Sequence, residues 1–192
     1  SYRRRTKMAE CVCPWWLGYL LASPIRKLIQ DPQSILSPYV KSGMTALDIG
    51  PGMGYFTIPM ARLIGEKGKV YAVDLQEKMI GSLKRRAARA GLDGIIAARI
   101  CTADSLNIAD LEGRIDFALT FAVLHETPDI GRVLGEVHAT LKPGGYLLIA
   151  EPTGHVTIDG FADTTSKAQK CGFEIVARPS IRRSLTLLLR KT

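Results

Sequence analysis

The first candidate functional segment is residues 47–54, which contain three closely spaced glycines. The run reads Leu-Asp-Ile-Gly-Pro-Gly-Met-Gly and follows an apolar stretch that predicts a buried strand. Gly50 and Gly52 lack Cβ atoms, so a ligand can approach the backbone closely. Gly54 is expected to open a helix, whose free N–H groups suit a carboxylate. The run therefore predicts a site for a nucleotide-like ligand.

Two acidic residues follow the next predicted strands. Asp74 ends the second strand, where its carboxylate can accept hydrogen bonds from ribose hydroxyls, and Asp104 follows the third. The alternative role for Asp104 is that of a helix N-cap. Dinucleotide-binding proteins use a similar loop, G-x-G-x-x-G, but Tyr55 occupies the place where that pattern needs its third glycine. A nicotinamide dinucleotide is therefore disfavoured.

Three titratable residues follow the fourth and fifth predicted strands and are the candidate catalytic residues. His125 could deprotonate a hydroxyl, thiol or amine, since its ordinary pKa is near neutral; alternatively it only shapes the pocket. Glu126 is either a catalytic group or a charge at the start of the next helix. Glu151 could bind a cationic group on an acceptor or pair with an arginine.

The N-terminal part of the sequence adds aromatic and sulfur-bearing side chains. Trp15, Trp16 and Tyr19 could exclude water and stack on a flat acceptor, or they could simply pack in a core. Cys11 and Cys13 form a C-x-C pair without a second pair, which makes a poor zinc site. No metal is therefore expected.

Strand and helix signals alternate after residue 43 and must position these side chains. Such alternation predicts an α/β sandwich of three layers with right-handed crossovers, and a final hairpin is expected on an otherwise parallel sheet. Residues 1–43 are expected to form a basic arm and a helical cap, and residues 44–192 the main domain. The predicted strands are 44–49, 69–74, 95–101, 115–121, 146–151, 173–178 and 184–190. The predicted helices are 56–64, 77–90, 129–141 and about 157–171, with 142–145 as the turn that stops the third helix.

Composition and charge exclude some classes of protein. The 192 residues are 46% hydrophobic and carry a formal net charge of +8, with four irregularly spaced cysteines. A reduced, cytoplasmic protein without a signal peptide or a membrane span is expected. Basic clusters at 2–7 and 84–89 suit nucleic acid, an anionic membrane or an acidic substrate, unless they are only solvated faces.

Taken together, six segments resemble the motifs of class I (Rossmann-like) S-adenosylmethionine-dependent methyltransferases of the small type-11 kind. These segments are 47–54, 73–75, 102–105, 116–119, 121–126 and 141–147. Pro51 departs from the family's pattern, in which Cys, Thr or Ala is commoner. The resemblance implies a mostly parallel seven-stranded sheet with an antiparallel last strand.

The resemblance also implies roles for individual residues. Asp74 would bind ribose, Asp104 the adenine amine, and the glycines the methionine side of S-adenosylmethionine. The residues expected to contact this cofactor are Asp48, Gly50, Gly52, Gly54, Tyr55, Phe56, Asp74, Leu75, Met79, Asp104, Ser105 and Phe121.

The implied activity is methyl transfer to O, N, S or an activated carbon of a small molecule, with S-adenosylhomocysteine as product. Positioning carries most of such a reaction, and a base helps only where the acceptor must lose a proton. One alternative is an RNA methyltransferase that uses the basic arm, although no Asn-Pro-Pro-Tyr-like tetrapeptide follows the fourth strand. The other is a non-catalytic protein that binds S-adenosylmethionine. The sequence predicts neither the acceptor nor the oligomeric state.

Overall fold

Seven strands form one sheet in the order β3-β2-β1-β4-β5-β7-β6. The computed structural model describes residues 30–192. The strands are β1 Thr45–Ile49, β2 Lys69–Asp74, β3 Ile96–Ile100, β4 Ile115–Phe121, β5 Leu141–Pro152, β6 Phe173–Ala177 and β7 Ser184–Lys191. The first five strands are mutually parallel, and β7 runs antiparallel to both β5 and β6. The predicted mostly parallel sheet with an antiparallel last strand is confirmed.

Five helices and two short 3₁₀ turns connect these strands. The helices are α1 Pro32–Leu36, α2 Thr57–Ile64, α3 Glu77–Arg89, α4 Ile130–Thr140 and α5 Ile158–Lys170, and the turns are Ala109–Leu111 and Leu124–Glu126. Pro59 is accommodated because it falls in the first turn of α2, where an N–H has no partner within the helix. Side chains of Asp129 and Thr157 cap α4 and α5 by accepting backbone N–H bonds.

Apolar side chains cover both faces of the sheet, which makes the three layers. Leu36 of α1, Met60 of α2 and Leu83 of α3 pack on one face. Leu134 of α4 and Phe161 of α5 pack on the other. Because both faces are buried, ligands can reach the parallel strands only at their ends, and in such sheets they bind at the carboxyl ends.

The start of β5 differs from the prediction. Lys142, Pro143, Gly144 and Gly145 were expected to form a turn before a strand beginning at Tyr146, but β5 already begins at Leu141. The pairing with β4 passes from Ile115↔Leu141 to Phe117↔Tyr146, so two residues of β4 face five of β5. The four residues therefore form a bulge inside the strand, where Lys142 pairs with Asp116.

Residues 31–40 belong to the core of the described structure. Asp31 caps α1, Leu36 and Val40 are buried, and the ring of Tyr39 stacks on that of Phe117 at a centroid distance of 6.0 Å. The basic cluster at 2–7, Cys11, Cys13, Trp15, Trp16 and Tyr19 lie outside the described residues, and so do the short helical pieces expected before residue 30.

Residues 30–192 contain neither a membrane-spanning helix nor a metal-binding cluster. No helix in this range is both long and apolar enough to cross a membrane. Within the same range, no three His, Cys, Asp or Glu side chains are grouped so that they could hold a metal ion.

Candidate active site

The three glycines of the loop after β1 have different structural roles. All three have positive φ: +68° at Gly50, +54° at Gly52 and +88° at Gly54. A Cβ atom on Gly50 would lie 2.5 Å from Cγ2 of Val123, and one on Gly54 would lie 2.5 Å from Cδ1 of Leu83. A Cβ on Gly52 would meet nothing within 4 Å. Gly50 and Gly54 are therefore needed for packing, while Gly52 faces open space that a ligand can fill.

Gly54 lies three residues before the following helix, and its carbonyl already accepts from the N–H of Ile58 at 3.2 Å. The N–H of Gly54 donates to the carbonyl of Pro51 at 2.9 Å, and the backbone continues as turns until α2 begins at Thr57. The positive φ of Gly54 cannot belong to a right-handed helix, which explains the later start. The N–H groups at the start of α2 therefore lie further along the chain than the spacing predicts.

Asp74 closes the glycine loop from the neighbouring strand. One carboxylate oxygen accepts from the N–H of Gly52 at 3.1 Å and the other from the N–H of Gln76 at 2.8 Å. Burial raises the pKa of Asp74, and these two hydrogen bonds oppose the rise. Each oxygen keeps a further lone pair, so the carboxylate can still accept the two hydroxyls of a ribose.

Asp48 lies beneath the loop. Its side chain is 2% exposed and accepts a 2.6 Å hydrogen bond from Oγ1 of Thr57, the first residue of α2. Burial raises the pKa of Asp48 to about 7, and the charge of Asp74 adds to the rise. Among the described contacts, Asp48 thus joins the loop to α2, and its predicted contact with the cofactor stays a prediction.

Two large apolar side chains stand in solvent beside Asp74. Leu75 is 44% exposed, and Ile100, which pairs with Asp74 across β2 and β3, is 49% exposed. Exposed apolar surface at the carboxyl edge of the sheet suits a flat base. The cofactor contacts predicted from the sequence include Leu75 but not Ile100. The feature that could have indicated Ile100 is its place as the last apolar residue of β3. Met79 is buried in α3, where it lines a cleft of ≈ 400 Å³ together with Met53.

The loop after β3 carries the second predicted acid. Asp104 is 91% exposed at its side chain and touches Arg132, which donates to the Asp104 carbonyl at 3.0 Å. The alternative role as a helix N-cap is wrong, because residues 102–107 are an irregular loop. Glu136 of α4 holds that loop by accepting from the Leu106 N–H at 2.8 Å and from Oγ of Ser105 at 3.2 Å. No local pattern predicts this role of Glu136, which lies 30 residues beyond Leu106 in the chain.

Aromatic rings line the join between the loop and the sheet. Phe56 and Phe121 are buried and stack at a centroid distance of 4.3 Å, and Tyr55 meets Phe56 edge-on at 5.3 Å. The Tyr55 hydroxyl donates to the carbonyl of Gln30 at 2.9 Å. The predicted cofactor contacts of these three rings stay predictions; in the structure they support the loop.

The half-buried His125 and the buried Glu151 form a pair at the carboxyl ends of β4 and β5. Glu151 is 1% exposed and accepts a hydrogen bond from Nδ1 of His125. It also accepts from the N–H groups of Val123 at 3.2 Å and Leu124 at 3.0 Å. Glu151 therefore pairs with a histidine and with backbone, rather than with an arginine.

The pair decides how the His125 imidazole can act. The Glu151 hydrogen bond raises the pKa of His125, against the lowering effect of burial. Because Nδ1 donates to the carboxylate, the neutral ring carries its lone pair on Nε2. The arrangement suits a general base whose orientation is set by Glu151.

A left-handed residue separates β4 from the histidine. Ala122 has a φ of +57°, which is uncommon for a residue with a side chain and marks stored strain. Its N–H donates to the carbonyl of Ala150 at 2.8 Å. The turn brings Val123 against Gly50, so the loop that carries His125 packs directly on the glycine loop.

Three further titratable residues are described: His155, His138 and Glu126, whose predicted catalytic role stays a prediction. The ring of His155 lies 5.4 Å from that of His125, edge to face, on the loop after β5. Glu126 ends the 3₁₀ turn before α4, and the first turn of α4 holds no acidic residue, so the helix-charge alternative is wrong. His138, in the last turn of α4, packs edge-on against Phe173 of β6.

Comparisons with known proteins agree with this geometry. A family model described as a methyltransferase domain matches residues 40–179. A ubiquinone biosynthesis O-methyltransferase from Caulobacter vibrioides is 41% identical over 108 residues, which cover 56% of this chain and 40% of the relative. A demethylmenaquinone methyltransferase from Geobacillus stearothermophilus is 30% identical over 122 residues, 64% of this chain and 50% of the relative. The match thus spans half or less of these relatives' own length.

A solved structure supports the fold. The S-adenosylmethionine-dependent methyltransferase from Aquifex aeolicus superposes with a TM-score of 0.82 at 23% identity, covering 93% of this chain and 98% of that one. At this identity the likeness establishes the fold alone.

Proposed function

The chain belongs to the methyltransferase domain family, and from that premise we propose that it methylates a hydroxyl group of a small-molecule acceptor. Its cofactor is S-adenosylmethionine, and S-adenosylhomocysteine is the product. The observation that carries the proposal is the His125–Glu151 pair, which is packed against the glycine loop through Val123.

The described residues fit this cofactor. Gly52 borders open space, Asp74 has lone pairs left for a ribose, and Leu75 and Ile100 offer apolar surface for the adenine. S-adenosylmethionine supplies an electrophilic methyl group on a sulfonium centre, so no further activation of the donor is needed. The chain's own task is to hold donor and acceptor in line, which can lower a barrier by roughly 7–11 kcal/mol at best.

The acceptor's proton decides what else the site must do. A phenolic hydroxyl has an ordinary pKa of about 10, so it is protonated at neutral pH and must lose its proton during transfer. Nε2 of His125 can take that proton while Glu151 stabilises the charged ring. General bases of this kind contribute typically about 10²–10⁴-fold to a rate, which is why a hydroxyl acceptor is favoured here.

The name of the first relative supports a hydroxyl acceptor, whereas the name of the second does not state which atom is methylated. One is named an O-methyltransferase of ubiquinone biosynthesis, and the other a demethylmenaquinone methyltransferase. For this chain we infer a hydroxylated aromatic ring. Acceptors at N, S or activated carbon, and an acceptor contact by Trp15, Trp16 and Tyr19, stay predictions from the sequence.

The proposal is tested by the formation of S-adenosylhomocysteine with 3,4-dihydroxybenzoate and with its methyl ester as acceptors. His125→Ala is expected to lower kcat at least about 100-fold without changing the affinity for S-adenosylhomocysteine. His138→Gln, a histidine far from the site, is the matched control and keeps its activity. Full activity of His125→Ala, or no transfer to either acceptor by the wild type, would contradict the proposal.

The same assay separates the two alternatives. An RNA methyltransferase would transfer label to RNA, and its activity would fall steeply with added salt. A non-catalytic protein would bind S-adenosylhomocysteine and methylate neither RNA nor the aromatic probes.

A further inference from the structure

We propose that the acceptor is an anion and that the segment 178–183, between β6 and β7, recognises its charge. The recognising residues are Arg178, Arg182 and Arg183. The inference rests on the proposed function, because it names the chemical class of the acceptor that His125 would deprotonate.

The sheet places this segment beside the catalytic pair. β6 ends at Ala177 and β7 begins at Ser184, which pairs with Pro152 at the end of β5. Glu151, the partner of His125, is the residue before Pro152. The arginine-bearing segment therefore lies at the same carboxyl edge as the acceptor side of the site.

The segment 178–183 is connected to His125 through the loop after β5. The carbonyl of Arg183 accepts from the N–H of Thr153 at 3.1 Å. Thr153 lies on the loop after β5 that also carries His155, and the ring of His155 lies 5.4 Å from that of His125. The backbone of Arg183 is thus joined to the wall of the acceptor side.

The segment is held in a fixed and costly conformation. Arg183 has a φ of +60°, an uncommon backbone conformation for a residue with a side chain, which persists only where the surroundings impose it. The surroundings do so: the Gln30 side chain donates to the Arg182 carbonyl at 3.0 Å, and Oγ1 of Thr186 donates to that of Pro179 at 2.5 Å. A loop that only exposes arginines to solvent would not need these hydrogen bonds to its backbone carbonyls.

The three guanidinium groups of this segment are positively charged at neutral pH. All three residues are exposed, and within residues 30–192 none of them forms an ion pair. Elsewhere in the described chain, Arg99 and Arg190 each pair with a carboxylate.

The acidic groups of the neighbouring segments do not balance this charge. Glu151 is buried and engaged by His125, and Glu126 is half-buried in the turn after β4. Asp159, in the first turn of α5, is exposed. Of these three carboxylates only that of Asp159 is exposed, whereas all three arginines of the segment are exposed.

A cationic edge of this kind favours an oxyanion. Guanidinium groups match carboxylates with two parallel hydrogen bonds and stay charged at any working pH. The positive field also raises the local concentration of anionic ligands. The acceptor is then a hydroxylated aromatic acid, with the hydroxyl at His125 and the carboxylate towards the arginines.

Two probes that differ by one charge test the inference. Calorimetry on the S-adenosylhomocysteine complex compares 3,4-dihydroxybenzoate with its methyl ester. The acid is expected to bind at least about 10-fold more tightly than the ester, a preference that weakens with added salt. In Arg182→Gln/Arg183→Gln the preference falls below about 3-fold, and Arg182→Lys/Arg183→Lys restores part of it.

Arg190→Gln removes an arginine that pairs with Glu174 on the other end of β7, and it keeps the full preference. Unchanged affinity for S-adenosylhomocysteine reports that each variant is folded. Equal binding of acid and ester, binding of neither, or a preference that survives in the double Gln variant overturns the inference. If both probes bind with equal affinity and both are methylated, this inference is overturned but the proposed function is not.

Discussion

The donor and acceptor sides of the site differ in what holds them in place. On the donor side, the conformation of the loop is set by three glycines with positive φ and by Asp74, which accepts a hydrogen bond from the N–H of Gly52. On the acceptor side, one buried carboxylate, Glu151, holds both the loop and the imidazole of His125. The donor side is therefore predicted by a recognisable glycine pattern, whereas the acceptor side depends on a side-chain contact between two strand ends that no such pattern encodes.

The largest effect is expected where the two sides touch. Gly50→Ala should cost the fold about 2–5 kcal/mol, because a left-handed alanine is strained and its Cβ would overlap Val123. Gly52→Ala should cost only about 1–2 kcal/mol, since its Cβ meets open space. Urea denaturation measures both. Equal losses would show that the two glycines do not differ in packing.

The second effect concerns the acceptor side alone. Glu151→Gln should lower kcat by about 100-fold and leave the affinity for S-adenosylhomocysteine within about 3-fold. Glu151 raises the pKa of His125, and a base must be neutral, so wild-type kcat rises with pH through a limb above 6.5. In the variant this limb moves to lower pH. A limb at the same pH in both proteins would exclude His125 as the base.

The stability of the folded chain should also depend on the protonation of His125. Since the pKa of His125 is raised in the folded chain, its contribution to stability is fully present below 6.5 and is lost as pH rises through the raised value. Glu151→Gln should remove that dependence, which thermal unfolding at several pH values measures. An unchanged dependence in the variant would argue against the pairing.

A third effect concerns the donor side alone. Asp74→Asn should weaken S-adenosylhomocysteine binding about 10–100-fold, because hydrogen bonds to a charged acceptor are worth about 1.5–3 kcal/mol. Asp104→Asn should cost less than about 5-fold, since that side chain is largely in solvent. Calorimetry decides between them. A greater loss in Asp104→Asn would reverse the ranking of the two acids.

A further effect on stability lies beneath the glycine loop. Asp48 keeps its proton up to about pH 7 in the folded chain but only to its ordinary 3.8 when unfolded. Folded stability is therefore expected to fall as pH rises between these values. Asp48→Asn should flatten that fall, as measured by unfolding at pH 5 and pH 8. A fall of the same size in the variant would remove Asp48 as its cause.

Much of the fold follows from local patterns in the sequence. Apolar stretches and their alternation predict every strand within a few residues, except that β5 begins at Leu141. That exception has a physical reason: Pro143, Gly144 and Gly145 favour a turn, but Lys142 pairs with Asp116 of β4 and keeps the segment on the sheet. Gly54 was expected to open a helix, but its positive φ belongs to a turn, and α2 begins three residues later at Thr57.

The site divides in the same way. Gly50, Gly52 and Asp74 come together because neighbouring parallel strands end at one edge, which a motif can predict. The hydrogen bond from His125 to Glu151, the support of Ser105 by Glu136 and the exposure of Ile100 depend on packing between elements far apart in the chain. No periodicity in the sequence reports such contacts.

The central claim is that the donor side binds S-adenosylmethionine and not a nicotinamide dinucleotide. Calorimetry of the wild-type protein with S-adenosylhomocysteine and, separately, with NAD tests it most directly. The predicted result is saturable binding of one S-adenosylhomocysteine per chain, lost in Asp74→Ala, and no heat with NAD. Binding of NAD without binding of S-adenosylhomocysteine would contradict the claim.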